Sequence, residues 1–390
     1  MWRLVLIVTL LRCSSEPSVT CRDENNGEVD WFIIYKAPTQ AKKLTGLEYF
    51  YTDSARRSEY IDNSKAKKTK FINDAEGVLA NTLRHLFIPV RKMRENFGFI
   101  SYSDQPPGSQ SHKEFGHSKG VVMVEKNNTG VWLLHSTPQF PFRRDQNKFW
   151  PKSGNLKAQT FICITFNYSQ FEQIGTHLLD IRAFPFDHDV PLDFHDTLQQ
   201  VVKWEQITPP PPPRANFKEL TSRRGQKFYS IAKNVAAGVK AGTKRGRDEG
   251  KTLPKSGDGD LYVNIAHDKN VQGHLAVQTW GCQKERAKSF CGDKYNVYNI
   301  GSIATGMGSW KPTSDHSKWF VTTDGGKDWT CIADVNRSQS QFERRGGALC
   351  INNKHIAEKF RSFVASKEDC SVAVTHDAEC EDVEFEDADN

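Results

Sequence analysis

The feature that most constrains this chain is a block of sequence that occurs twice. His117-Ser118-Lys119 is followed by Val121-Val122, a polar turn at Lys126-Asn127-Asn128-Thr129-Gly130 and a segment led by Trp132. His316-Ser317-Lys318 is followed by Phe320-Val321, a turn at Asp324-Gly325-Gly326-Lys327-Asp328 and a segment led by Trp329. Each block reads as strand, hairpin turn, strand. One such unit in each half of the chain points to a pseudo-two-fold arrangement that brings the two triplets together. Residues i and i+2 of a strand share a face, so His117 projects with Lys119 and His316 with Lys318.

Two imidazoles and two ammonium groups around one phosphodiester form a complete phosphoryl-transfer set. One imidazole attacks phosphorus; the other, protonated, donates to the departing alkoxide and later deprotonates a water. The lysines neutralise the non-bridging oxygens, a task many phosphoryl-transfer enzymes give to magnesium. One His must start neutral and the other charged, so a mildly acidic optimum is expected near the intrinsic His pKa of about 6.5. Neighbouring lysines push the imidazoles further toward acid. Which His is the nucleophile is open at this level. No metal and no cofactor are expected: Asp258-Gly259-Asp260 lacks the rest of a calcium loop and reads as a turn, and the cysteines include no Cys-x-x-Cys pair.

The N-terminus sets the compartment. Arg3 precedes an apolar run over residues 4–11, with Ser14 and Ser15 beyond it, which reads as a signal peptide over residues 1–18. The run is too short to span a bilayer. Of nine cysteines, Cys13 falls inside it, leaving eight for an oxidising compartment, with their pairing open on spacing alone. Sequons at Asn127, Asn167 and Asn336 fit the same route. The lysosome is the expected destination, with secretion as the alternative. The net charge of +6 hides eight carboxylates between Asp377 and Asn390, so the rest of the chain is near +14 and suits a polyanion.

Along the chain, an N-terminal half over residues 19–208 carries the first triplet and a C-terminal half over 259–376 the second. Between them lies a Pro-rich and basic connection over 209–258, and an acidic tail covers 377–390. Strands are expected at residues 29–35, 97–102, 120–124, 131–135, 160–166, 275–280, 318–322 and 329–333, and a helix at 228–239. Asp104-Gln105-Pro106-Pro107-Gly108 is a strong breaker cluster. This alternation gives an α/β architecture.

With these residues in view, the chain resembles the deoxyribonuclease II family, from about Cys21 to Cys370. The resemblance rests on Val29-Asp30-Trp31-Phe32, Gly116-His117-Ser118-Lys119-Gly120 and Trp132-Leu133-Leu134-His135-Ser136-Thr137-Pro138-Gln139-Phe140-Pro141. It continues in Asp315-His316-Ser317-Lys318-Trp319, Trp329-Thr330-Cys331 and Arg345-Gly346-Gly347. Ile162-Cys163-Ile164-Thr165-Phe166 and Tyr298-Asn299-Ile300 look closer to the beta branch. The resemblance implies a phospholipase D-like α/β fold with two pseudo-symmetric mixed-sheet halves and the active site between them. It implies metal-independent hydrolysis of DNA at acid pH, leaving 3′-phosphate and 5′-hydroxyl ends.

Carried onto this chain, it makes His316, His117, Lys318 and Lys119 the catalytic core. His135 joins them as an orienting or protonating group, or else is a partly buried strand histidine. Asn336, Ser118 and Ser317 are candidate substrate contacts, Asn336 with the competing reading of a glycan site. Phe115 and Trp319 either stack on bases or pack the core. The family pattern implies disulfides Cys21–Cys163, Cys291–Cys370 and Cys331–Cys350, leaving Cys282 and Cys380 able to pair. Double-stranded DNA is the expected partner, and a homodimer is open. Two other classes stay in view: a phosphodiesterase of the same fold acting on lipids, which needs an exposed apolar entry, and a catalytically silent nucleic-acid-binding protein, which should have lost part of a triplet.

Overall fold

Strands that are apolar on both faces must be covered on both faces, and this chain supplies several. Trp31–Lys36, Lys119–Glu125 and Thr129–His135 are buried at every position. The computed structural model describes residues 18–40, 43–61, 70–204, 216–233, 259–324, 327–370 and 380. It is a mixed α/β structure built on two large sheets. The first has eight strands in the order Pro185–Asp189, Phe97–Ser103, Lys119–Glu125, Thr129–His135, Gln159–Asn167, Trp31–Lys36, Tyr49–Asp53 and Ser58–Ile61. The second runs Asn216–Thr221, Lys227–Lys233, Gly346–Asn352, Trp329–Ala333, Trp319–Thr322, Leu275–Gln278, Asn296–Thr305 and Phe290–Cys291, with Gly308–Trp310 and Val364–Lys367 added to Asn296–Thr305.

One apolar layer is shared by both sheets. It holds Tyr35, Trp132 and Leu134 of the first and Trp319, Val321 and Leu349 of the second. The helices Phe171–Asp180 and Lys354–Phe363 lie in it, through Ile174 and Leu178 and through Phe360 and Phe363. The outer face of the first sheet packs Val121, Leu133 and Phe161 against the helix Val78–Thr82. On the far face of the second sheet, Val277, Phe320 and Cys331 pack against the helix Leu261–His267.

The strand expectations fall on observed strands, with ends shifted by a residue or two. The helix expected over 228–239 is corrected. Lys227–Lys233 is a strand, paired with Asn216–Thr221 on one side and Gly346–Asn352 on the other. Phe228 faces the shared core and Ile231 the outer one, so period-two burial on both faces outweighs local helix propensity. The expected signal peptide up to residue 17, the proline run Pro209–Pro213, the basic segment beyond Lys233 and the acidic tail other than Cys380 lie outside the described residues.

Disulfides join Cys21–Cys163, Cys282–Cys380, Cys291–Cys370 and Cys331–Cys350. Four such links fit an oxidising compartment. Among the described residues no helix is long and apolar enough to cross a membrane.

Candidate active site

The first triplet enters the strand Lys119–Glu125, and chain segments from both halves grip it. Gly116 N–H donates to Arg182 O at 3.0 Å, and His117 N–H to Arg345 O at 2.8 Å. A Cβ on Gly116 would lie 2.0 Å from Ile181 O, so this close approach needs glycine. His117 Nδ1 donates to Asp104 Oδ2 at 2.8 Å, leaving Nε2 available. Lys119 Nζ donates to the other oxygen, Oδ1, at 2.7 Å.

Arg344 reaches across from the second sheet's side. It donates to Asp104 Oδ2 at 2.9 Å, to His112 O at 3.2 Å and to Phe115 O at 3.1 Å. Burial alone would raise the Asp104 pKa, but His117, Lys119 and Arg344 together hold it well below the usual carboxylate range. Burial lowers His117 to about 3, with Asp104 opposing that shift and Lys119 adding to it.

The second triplet precedes the strand Trp319–Thr322. His316 N–H donates to Ala158 O at 3.0 Å, which ties it to the first half. Asp315 is fully buried; it accepts from Trp310 Nε1 at 2.8 Å and Ser317 N–H at 2.8 Å, and from the Tyr35 hydroxyl. Lys318 Nζ donates to His316 O at 2.6 Å. His316 is half-buried, and its Nε2 is sealed from solvent without a hydrogen-bond partner. Trp280 packs edgewise on the His316 ring at 4.6 Å.

The two triplets act on one another. Burial first, then Lys318, Lys157, Lys119 and His117 depress the His316 pKa well below its ordinary value. Lys318 falls to about 7 through burial and then Lys119. The charges of the first triplet thus reach the second.

Other residues named from the sequence take varied places. His135 is 1% exposed, its ring between Phe140 and Phe161 at 4.9 and 5.5 Å, and neither nitrogen forms a well-aligned hydrogen bond. Burial and then Lys119 lower its pKa, so it adjoins the first triplet from inside the wall. Ser118 and Ser317, expected as substrate contacts, are 1% and 0% exposed, and both hydroxyls lie buried without a hydrogen-bond partner. Trp319 packs the shared core against Tyr35 and Phe360. Phe115 packs on Phe184.

Asn336 is 4% exposed, with Nδ2 on Gln283 and Oδ1 accepting from Trp280 N–H. A glycan there has no room, so that reading is withdrawn. Asn336 instead holds the segment that sets Trp280 against His316. Asn127 and Asn167 are both exposed. Asp260 caps the helix Leu261–His267 and pairs with buried Arg337.

Asp104, Arg344, Asp334 and Trp280 were not singled out as site residues. Asp104 opens the breaker cluster, Arg344 precedes Arg345-Gly346-Gly347, and Asp334 ends the second Trp strand. A carboxylate at the end of a strand beside the triplet strand was the usable signal. Among the described residues, no three His, Cys, Asp or Glu side chains are grouped to hold a metal ion.

A family model described as deoxyribonuclease II matches residues 20–370. The chain is 31% identical to deoxyribonuclease-2-beta of Homo sapiens, covering 94% of this chain and 96% of that protein. It is 32% identical to plancitoxin-1 of Acanthaster planci, again over 94% and 96%. Against deoxyribonuclease-2-alpha of Bos taurus the identity is 30%, over 94% of each chain. Among solved structures, yeast tyrosyl-DNA phosphodiesterase covers 64% of this chain and 70% of its own at 10% identity, with a TM-score of 0.28, too low to establish a common fold.

Proposed function

The chain belongs to the deoxyribonuclease II family, and from that premise we propose that it is an acid endodeoxyribonuclease. It cuts DNA without a divalent metal through a phosphohistidine, leaving 3′-phosphate and 5′-hydroxyl ends. The observation that carries this reading is that each triplet is tied to the other half of the chain, His117 N–H donating to Arg345 O, Arg344 to Asp104 and His316 N–H to Ala158 O, with the first triplet's charges bearing on the second.

The asymmetry of the two imidazoles supports unequal roles. Asp104 fixes the Nδ1–H tautomer of His117, which presents Nε2 as the nucleophile, and its negative charge stabilises the phosphorylated imidazole. As the Nε2–P bond forms, the P–O5′ bond breaks, and protonated His316 gives its proton to O5′. Water then attacks phosphorus, His316 takes the water's proton, and the P–Nε2 bond breaks to release the 3′-phosphate. Lys119 and Lys318 neutralise the non-bridging oxygens, and His135 buttresses Lys119 from the core. Without substrate both imidazoles are depressed, so the phosphodiester's negative charge is what lets His316 bind its proton, and acid favours that step.

The architecture proposed with this is phospholipase D-like, with pseudo-symmetric halves over 19–208 and 259–376 joined by 209–258. Strand order supports it: in each sheet the triplet-led strand lies between a neighbouring strand and its own hairpin partner, with four more strands beyond that partner in the first sheet and three in the second. Removal of residues 1–18 and delivery to the lysosome, or secretion, complete the proposal.

The test is plasmid nicking at about pH 5 in excess chelator, comparing wild type with His117→Ala and His316→Ala. Wild type should nick freely and each variant fall by on the order of 10³-fold or more. Sensitivity to chelator, or full activity in either variant, contradicts the reading.

A further inference from the structure

Asp334 follows the strand Trp329–Ala333 and is held from both sides by one glycine. Its N–H donates to Gly347 O at 2.9 Å, and its Oδ2 accepts from Gly347 N–H at 2.8 Å. The residue is 5% exposed, and Oδ1 is buried with no hydrogen-bond partner. A buried polar oxygen left without a partner is costly, so its position calls for an explanation.

Its surroundings supply one. A Cβ on Gly346 would stand 2.6 Å from Val335 Cγ1, 3.3 Å from Asp334 Cβ and 3.4 Å from His117 O, so Asp334 and the first triplet's backbone pack against the same glycine. The charged groups that bear on it are Lys119 from the first sheet, Lys318 from the second and Asp104, and its charge is in turn felt by the buried hydroxyls of Tyr102 and Tyr262. Neither lysine is bonded to it, since Lys119 Nζ donates to Asp104 and Lys318 Nζ to His316 O.

Resting on the function proposed above, we propose that Asp334 is a further catalytic residue, an uncharged carboxyl that donates a hydrogen bond from Oδ1 to a non-bridging oxygen of the scissile phosphodiester. As an anion it would repel that phosphate and draw the two lysines away from it. As a neutral acid it completes the ring of donors. Burial pushes its proton affinity up, to about 8, against the opposing pull of the Gly347 N–H and of Lys119. Acid conditions therefore keep Asp334 protonated for the same reaction that needs protonated His316.

Three proteins test this: wild type, Asp334→Asn and Asp334→Ala. Asn keeps a donor for phosphate and an acceptor for Gly347 N–H, whereas Ala keeps neither. At about pH 5 in chelator, Asp334→Asn should stay within about 3-fold of wild type in kcat/KM, while Asp334→Ala falls by about 10²-fold, the scale of one lost transition-state donor. Infrared difference spectra at about pH 6 should contain a protonated-carboxyl stretch in wild type that Asp334→Asn lacks.

An Asn variant as impaired as the Ala variant means that an anion is needed and overturns the proposal. So does a fully active Ala variant, or a missing infrared band. Should Asp334→Ala not fold, the Asn kinetics and the infrared band still decide. Full activity in His117→Ala or His316→Ala breaks the underlying reading of the triplets instead, and leaves the infrared result to stand alone.

Discussion

Asp104 meets Lys119, Arg344 and His117 in one buried place, and the contacts divide into two tasks. Lys119 and Arg344 offset the cost of burying its charge, and that charge sets the tautomer of His117. Asp104→Asn keeps the shape and removes both effects, because an amide can donate to Nδ1 and turn Nε2 into a donor. kcat should fall by on the order of 10²–10⁴-fold while the secondary structure stays intact, measured by nicking assays beside circular dichroism. A loss under about 3-fold would show that His117 needs no carboxylate. The His and Lys of each triplet were legible because the block is repeated. Asp104 was not, since a Pro-Pro turn and a loop separate it from His117 and no fixed spacing links them.

Among elements, the helix Phe171–Asp180 carries a stability cost that grows in acid. Its His177 is 1% exposed, packs on Trp132 at 5.0 Å, and leaves Nε2 without a hydrogen-bond partner. A Cβ on Gly347 would meet its ring at 2.9 Å, so the strand backbone packs closely against it. Burial, and then Lys218, lower its pKa to about 3. The folded value lies below the unfolded one, so below about pH 6.5 the unfolded chain takes a proton that the native chain refuses. Stability then falls by about 1.4 kcal/mol per pH unit from this group, until the native His also titrates.

In urea unfolding between about pH 6.5 and 4.5, His177→Gln should show a pH slope shallower by about one proton. Parallel slopes would contradict the assignment. Elements themselves were mostly legible, because strands such as Trp329–Ala333 declare themselves by β-branched and aromatic runs bounded by turn residues. Lys227–Lys233 was not, because Phe228, Ala232 and the alanines beyond suit a helix locally, and only two strand partners from elsewhere in the chain decide otherwise.

For the whole molecule, the central claim is that two distant triplets work as one site with unequal roles. The duplicated block made a paired site legible. Which imidazole is the nucleophile was not, since that depends on Asp104 at one triplet and on Ala158, Trp280 and Asn336 at the other. The most direct measurement is chemical trapping. DNA with labelled phosphates is mixed with the enzyme at about pH 5 in chelator, quenched into alkali to preserve phosphohistidine, and the protein mapped by peptide. Transient label is expected on the peptide containing His117, none on that containing His316, and 3′-phosphate on the cut DNA. Label on His316, or turnover with no labelled peptide, would contradict the claim.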